Sequence, residues 1–112
     1  MKRYDAKDIR AIIFSIVERL KNDYTPDKII LYGSFAYGEP DKDSDIDFLI
    51  IKDTHQRPID RRVVVRRIIS DLRRGVPFSS IVITPQELKQ RLEIGDQFFE
   101  EIISKGEVLY AR

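Results

Sequence analysis

Three short apolar runs, "KIILYG" (28–33), "DIDFLIIK" (45–52) and "FSSIVIT" (78–84), leave this chain few folds to choose from. Each is too short for a buried helix and rich in Ile, Val or Phe, so each reads as a strand of a buried sheet. Around them the period changes to that of a helix. "DAKDIRAIIFSIVERLKND" puts Ile9, Ile12, Ile13, Ile16, Val17 and Leu20 on one face, predicting an amphipathic helix from about residue 5 to 23. "RPIDRRVVVRRIISDLRRG" predicts a second, with Pro58 near its start, Gly75 past its end, and Ile59, Val63, Ile68, Ile69 and Leu72 inward. Thr84, Pro85 and Glu87 spell a capping box that opens a third. "GDQFFEEIISKG" predicts a fourth, with Phe98, Phe99, Ile102 and Ile103 in the core, and "EVLYA" a last strand. The order α-β-β-α-β-α-α-β with short connections predicts an α+β fold: a mixed sheet with helices packed mainly on one face.

At 112 residues the expectation is a single domain, 1–112, and 42% hydrophobic with 35% charged residues fits a globular chain. The absence of cysteine excludes a disulfide framework, a thiol nucleophile and a thiolate metal site. "MKRYDAKDIR" does not read as a signal peptide, and no apolar run approaches the roughly 18 residues that span a bilayer. A cytoplasmic protein without a membrane partner is expected. The net charge of +1 disfavours nucleic acid as the main partner, and a homo-oligomer is compatible with the sequence.

The chemistry concentrates in "LYGSFAYGEPDKDSDIDFLII" (31–51). Gly33 lets backbone approach a ligand closely, and Ser34 is placed to cap a short helix through "FAYG". Free N–H groups there, with the Ser34 hydroxyl, suit a polyphosphate. Asp45 and Asp47 stand at i and i+2 of a strand, on one face. Two carboxylates that close repel unless a cation intervenes, and hard oxygen ligands suit Mg²⁺ or Mn²⁺.

With its Gly-Ser, ten residues and Asp-x-Asp, "GSFAYGEPDKDSDID" resembles the signature of the DNA polymerase β-like nucleotidyltransferases. The "TPQEL" segment, the "GDQFFEEIISKGEVLY" tail and the length resemble the minimal nucleotidyltransferases, so the likeness covers nearly the whole chain. It implies the nucleotidyltransferase fold, ATP as substrate and a divalent metal. Gly33, Ser34 and Ser44 would contact the nucleotide, and Asp45 and Asp47 would be the catalytic metal ligands. The metals would clamp the attacking and leaving oxygens during transfer of a nucleoside monophosphate, with pyrophosphate leaving. One departure stands out. The family's third carboxylate falls by register on Ser79, with Ser80 the close alternative. Glu39, Asp41 and Asp43 on the intervening loop are the substitutes at hand.

Other features carry less. His55, in "KDTHQRP", reads as a surface residue. Arg61, Arg62, Arg66, Arg67, Arg73 and Arg74 make the second helix basic on its outer face. Arg62, Arg66 and Arg73 share one sector at 100° per residue, a stripe suited to an acidic partner or RNA phosphates. Tyr37 is placed to stack on a base or to pack on the sheet. With no room for an acceptor domain, the acceptor is expected on a second polypeptide. Minimal nucleotidyltransferases pair with HEPN-domain proteins in toxin–antitoxin systems, so the likeness implies AMP transfer to a hydroxyl, tyrosine foremost, on such a partner. The alternative is a degenerate nucleotide-binding fold that neutralises its partner by binding alone.

Overall fold

Alternation along the strands decides how the layers form. A computed structural model describes residues 6–41 and 43–112. In it β1 (Lys28–Tyr32), β2 (Ile46–Ile51), β3 (Phe78–Ile83) and β4 (Glu107–Ala111) form one sheet in the order β3-β2-β1-β4. β1 pairs antiparallel with β2 and β4, and β2 pairs parallel with β3, so the sheet is mixed. Ile29 and Leu31, Ile46, Phe48 and Ile50, and Val82 join Ile9 to Leu20 of α1 (Ala6–Asp23) and Val65 and Ile69 of α2 (Pro58–Ile69) in the main core. The alternate positions, Ile30, Leu49, Ile51 and Ile83, face the other way. They meet Leu88 of α3 (Pro85–Glu93) and Phe99 and Ile102 of α4 (Gln97–Lys105). The longer helices thus share one face, as expected, and two short ones cover part of the second. The expected element order holds throughout, and residue 5, the expected start of α1, lies outside the described residues. No described helix is long and apolar enough to cross a membrane.

α2 departs from expectation in its facing and its length. Ile59 and Val63, expected inside, are 64% and 43% exposed, while Arg61, expected outside, is buried with Val65 and Ile69. The helix carries two candidate apolar faces about 200° apart, and the sheet takes the one that includes an arginine. Arg61 is tolerated there because every direction it reaches holds an acceptor. Its Nε donates to Gln56 O at 2.8 Å, and its Nη1 donates to Val82 O at 3.1 Å and Glu87 Oε1 at 2.7 Å. After Ile69 the helix gives way to turns, with Leu72 N bonded to Ile69 O and left-handed Arg74 and Gly75. Arg73 is therefore off the helix, and its guanidinium donates to Val76 O rather than extending the arginine stripe.

The start of α3 follows the expected capping box. Thr84 Oγ1 accepts from Glu87 N at 3.1 Å, and Glu87 Oε1 accepts from Thr84 N at 2.8 Å. Thr84→Ala is expected to cost about 1 kcal/mol of stability in urea unfolding, the usual worth of a cap. Of the apolar residues of α4, Ile102 is buried and Phe99 half-buried, whereas Phe98 and Ile103 are 47% and 43% exposed, against expectation. A nine-residue helix on the margin of a sheet turns only one stripe inward.

Candidate functional site

The end of β1 and the start of β2 meet at a single register row. Tyr32 is opposite Asp47 across the antiparallel pair, and Asp47 is opposite Ser79 across the parallel pair. All three belong to the alternate set of positions, on the α4 side of the sheet. Ser79, not Ser80, is therefore the neighbour of Asp47; Ser80 is buried on the opposite, α2 side. Asp45 precedes β2 and is exposed, and its charge reaches Asp47.

Gly33 follows β1 with φ +74°, in the region that glycine enters without penalty. A methyl group on it would stand 2.5 Å from Asp47 Oδ2, so the missing side chain is what lets the carboxylate lie over the turn. A 3-10 turn, Gly33–Phe35, begins at this residue, and Ala36 N and Tyr37 N both bond to Gly33 O. Ser34 lies inside that turn instead of ahead of it and makes no capping hydrogen bond, contrary to the expected cap. Its half-buried hydroxyl has no partner among the described residues and remains available to a ligand. Gly38 closes the turn, since a Cβ there would come within 2.9 Å of Ser34 Cα.

Burial, with Asp45 adding its charge, pushes the Asp47 carboxyl up to about 6. No described hydrogen bond relieves it. Tyr32 is pushed up to about 12, first by burial, then by Asp47 and Tyr37, with Arg62 pulling the other way. The Tyr32 ring packs edge-on against Phe98 at 5.8 Å, so α4 forms the wall on that side. A carboxylate held ionised at neutral pH against burial and a like charge fits a site completed by a cation. Asp45 and Asp47 match what Mg²⁺ takes from a protein, one or two carboxylates with the rest from water and phosphate. Among the described residues no group of three acidic or imidazole side chains gathers to hold a metal.

The remaining expected residues fall into place around this centre. Ser44 Oγ accepts from Asp41 N at 2.9 Å and donates to Asp41 Oδ1 at 3.4 Å, closing the acidic loop. Its hydroxyl is thus tied to the loop. Glu39, Asp41 and Asp43 are exposed, as are His55 and, at 38%, Tyr37 beside the turn. Tyr32 and Gly38 are site residues that motif reading passes over. Strand alternation from Asp47 would have found Tyr32, and the tight return of "FAYG" would have found Gly38.

Residues 15–112 match the family model described as "Polymerase beta, Nucleotidyltransferase". A Methanocaldococcus jannaschii protein named "Putative protein adenylyltransferase MJ1305" is 35% identical over 89 residues, covering 75% of this chain and 60% of the relative. The match thus spans less than two thirds of that protein. A crystal structure titled as a "putative nucleotidyltransferase" from Sulfolobus solfataricus superposes with a TM-score of 0.62, covering 100% of this chain and 93% of the other. At 18% identity that likeness is one of fold. The chain belongs to the polymerase beta nucleotidyltransferase family.

Proposed function

We propose that this chain transfers AMP from ATP to a hydroxyl, tyrosine foremost, on a partner polypeptide in the cytoplasm, the partner being a HEPN-domain protein that it neutralises. The observation that carries the transfer is the Asp47 carboxylate lying over the Gly33 turn, with Asp45 alongside and the free Ser34 hydroxyl in the turn. Gly33 leaves room for the triphosphate to approach backbone, and Ser34 donates to a phosphate oxygen. Asp45 and Asp47 would hold the divalent cation, Mg²⁺ or Mn²⁺. When bound, that ion supplies charge neutralisation for the leaving pyrophosphate and polarises the attacking hydroxyl. The acceptor oxygen bonds to the α-phosphorus as the bond to pyrophosphate breaks, and the hydroxyl proton passes to water or to the departing pyrophosphate. Support for a protein acceptor comes from the name of the Methanocaldococcus relative, and for the HEPN partner from the likeness to minimal nucleotidyltransferases.

Incubation with α-labelled ATP, Mg²⁺ and the HEPN partner is expected to label the partner. No label while ATP binds would refute transfer. A second reading, a fold that neutralises by binding alone, is favoured by Ser79, which leaves no third carboxylate among the described residues beside Asp47 to take the acceptor's proton. Ser79→Asp decides between them. Restoring a general base is worth on the order of 10²–10⁴ in rate, so the variant is expected to label the partner at least about 10²-fold faster than the natural chain. If only the variant transfers, the natural chain acts by binding.

A further inference from the structure

On the outer side of α2, residues at i, i+3, i+4 and i+7 read Ile59, Arg62, Val63 and Arg66, which is a second helical stripe turned away from the core. Together with Phe78 and Ser80 of the edge strand β3, these four residues line a cavity of about 130 Å³. Its chemistry is divided. Ile59 and Val63 are 64% and 43% exposed, and between them stand two guanidinium groups that have no acidic partner among the described residues. Several other arginines are paired, Arg10 with Glu107, Arg19 with Asp71, Arg61 with Glu87 and Arg112 with Asp27, whereas Arg73 bonds only to the Val76 carbonyl and exposed Arg67 also has no acidic partner among the described residues. The one acid in the first turn of this helix, Asp60, is taken by Arg57.

We propose that this groove docks an acidic polypeptide, with a partner carboxylate seated between Arg62 and Arg66 and apolar partner side chains against Ile59 and Val63. Guanidinium forks match carboxylates with paired hydrogen bonds, and buried arginines beside aliphatic contacts are common anchors of protein interfaces. Nucleic acid fits less well. The walls are largely aliphatic, and the one ring in the cavity, Phe78, is half-buried against Phe48 at a centroid distance of 5.2 Å, a poor platform for stacking successive bases. Strand addition to β3 is blunted as well, because Arg61 occupies the Val82 carbonyl on that edge. Phe78 and Ser80 flank Ser79 along β3 but face α2, so a polypeptide seated here lies on the side of the sheet opposite Asp47. The inference draws on the transfer reading only for why a partner is needed.

The test reads binding without nucleotide or metal, so its failure and that of the transfer reading are separate. The ¹⁵N-labelled chain is titrated at about 0.15 M salt with a short peptide of glutamates interleaved with leucines and alanines, with the same peptide carrying lysines, and with an oligoadenylate. Saturable shifts are expected from the glutamate peptide alone, centred on residues 59–66 and 78–80. Arg62→Glu with Arg66→Glu is expected to weaken that binding at least about tenfold. Arg67→Glu, a charge change of the same kind on an exposed residue outside the cavity, is expected to leave it unchanged. Amide dispersion in each spectrum reports that the variant is folded. No saturable shift at millimolar peptide, equal binding by the double variant, shifts centred elsewhere, or tighter binding of the oligoadenylate would each overturn the proposal.

Discussion

Asp47→Asn is expected to slow nucleotidyl transfer by about 10³ and, in the same protein, to raise the stability of the fold at neutral pH. The first effect follows from removing one of two carboxylates that hold the cation. Loss of a group that stabilises developing charge costs about 10²–10³ in rate, and loss of a cation ligand is at the upper end. The second follows from what the aspartate endures when no cation is bound. Its carboxyl is pushed up to about 6 by burial and by Asp45, so the folded state holds its proton more tightly than the unfolded chain does. Between the ordinary carboxylate value and about 6, the folded state therefore binds more protons, and stability falls as pH rises through that window. Above it the cost is fully present; below it, absent. The group is partly open to solvent, which reduces the cost to about 1–2 kcal/mol. The asparagine variant lacks the cost at every pH. In urea unfolding without divalent ions it should exceed the natural chain by about that amount at pH 7.5 and by nothing near pH 3.5. Added Mg²⁺ should raise the stability of the natural chain and leave the variant unmoved. Equal unfolding curves at pH 7.5 would mean the aspartate is not strained, and the case for a cation site would lose its physical basis.

Most of this site was legible because its signals are local. The spacing between Gly33-Ser34 and Asp45-x-Asp47 is a property of the chain, and strand alternation carries it directly onto one register row. The place of Ser79 came instead from the resemblance, by register of "TPQEL" against the minimal nucleotidyltransferases, and the parallel pairing puts it beside Asp47. What was not legible depends on contacts distant in sequence. The absence of a Ser34 cap turns on where a 3-10 turn begins, at Gly33, two residues before a helix capped by Ser34 would start. The facing of α2 turns on a competition between two stripes of similar hydrophobicity. A reader who puts every arginine outside must choose Ile59 and Val63 as core. The fold instead buries Arg61, because Glu87, Val82 and Gln56, spread over three segments, happen to converge on it.

That convergence carries a large stability effect for a polar side chain. Arg61→Met keeps the volume and the aliphatic stem but strips α2 of its ties to the edge strand and to the start of α3. The Val82 carbonyl is left without its donor, and Glu87 loses the guanidinium that holds its carboxyl below the usual range, the Thr84 backbone helping. Breaking one side of a buried ion pair costs about 3–5 kcal/mol. The Glu87 side chain is 40% exposed and can be reached by water, which places the expected loss near the lower end, about 3 kcal/mol. For a domain of this size that lowers the thermal midpoint by roughly 10–20 °C. The pH dependence distinguishes the ion pair from simple packing. Glu87 is held below its ordinary value, so its contribution is present above the unfolded pKa and lost as pH falls through the lowered one. The gap between the natural chain and Arg61→Met should therefore narrow on acidification below about pH 4. A double-mutant cycle with Glu87→Gln apportions the pair: strong coupling is expected at pH 7, and additive losses would show that Arg61 acts through the two carbonyls alone.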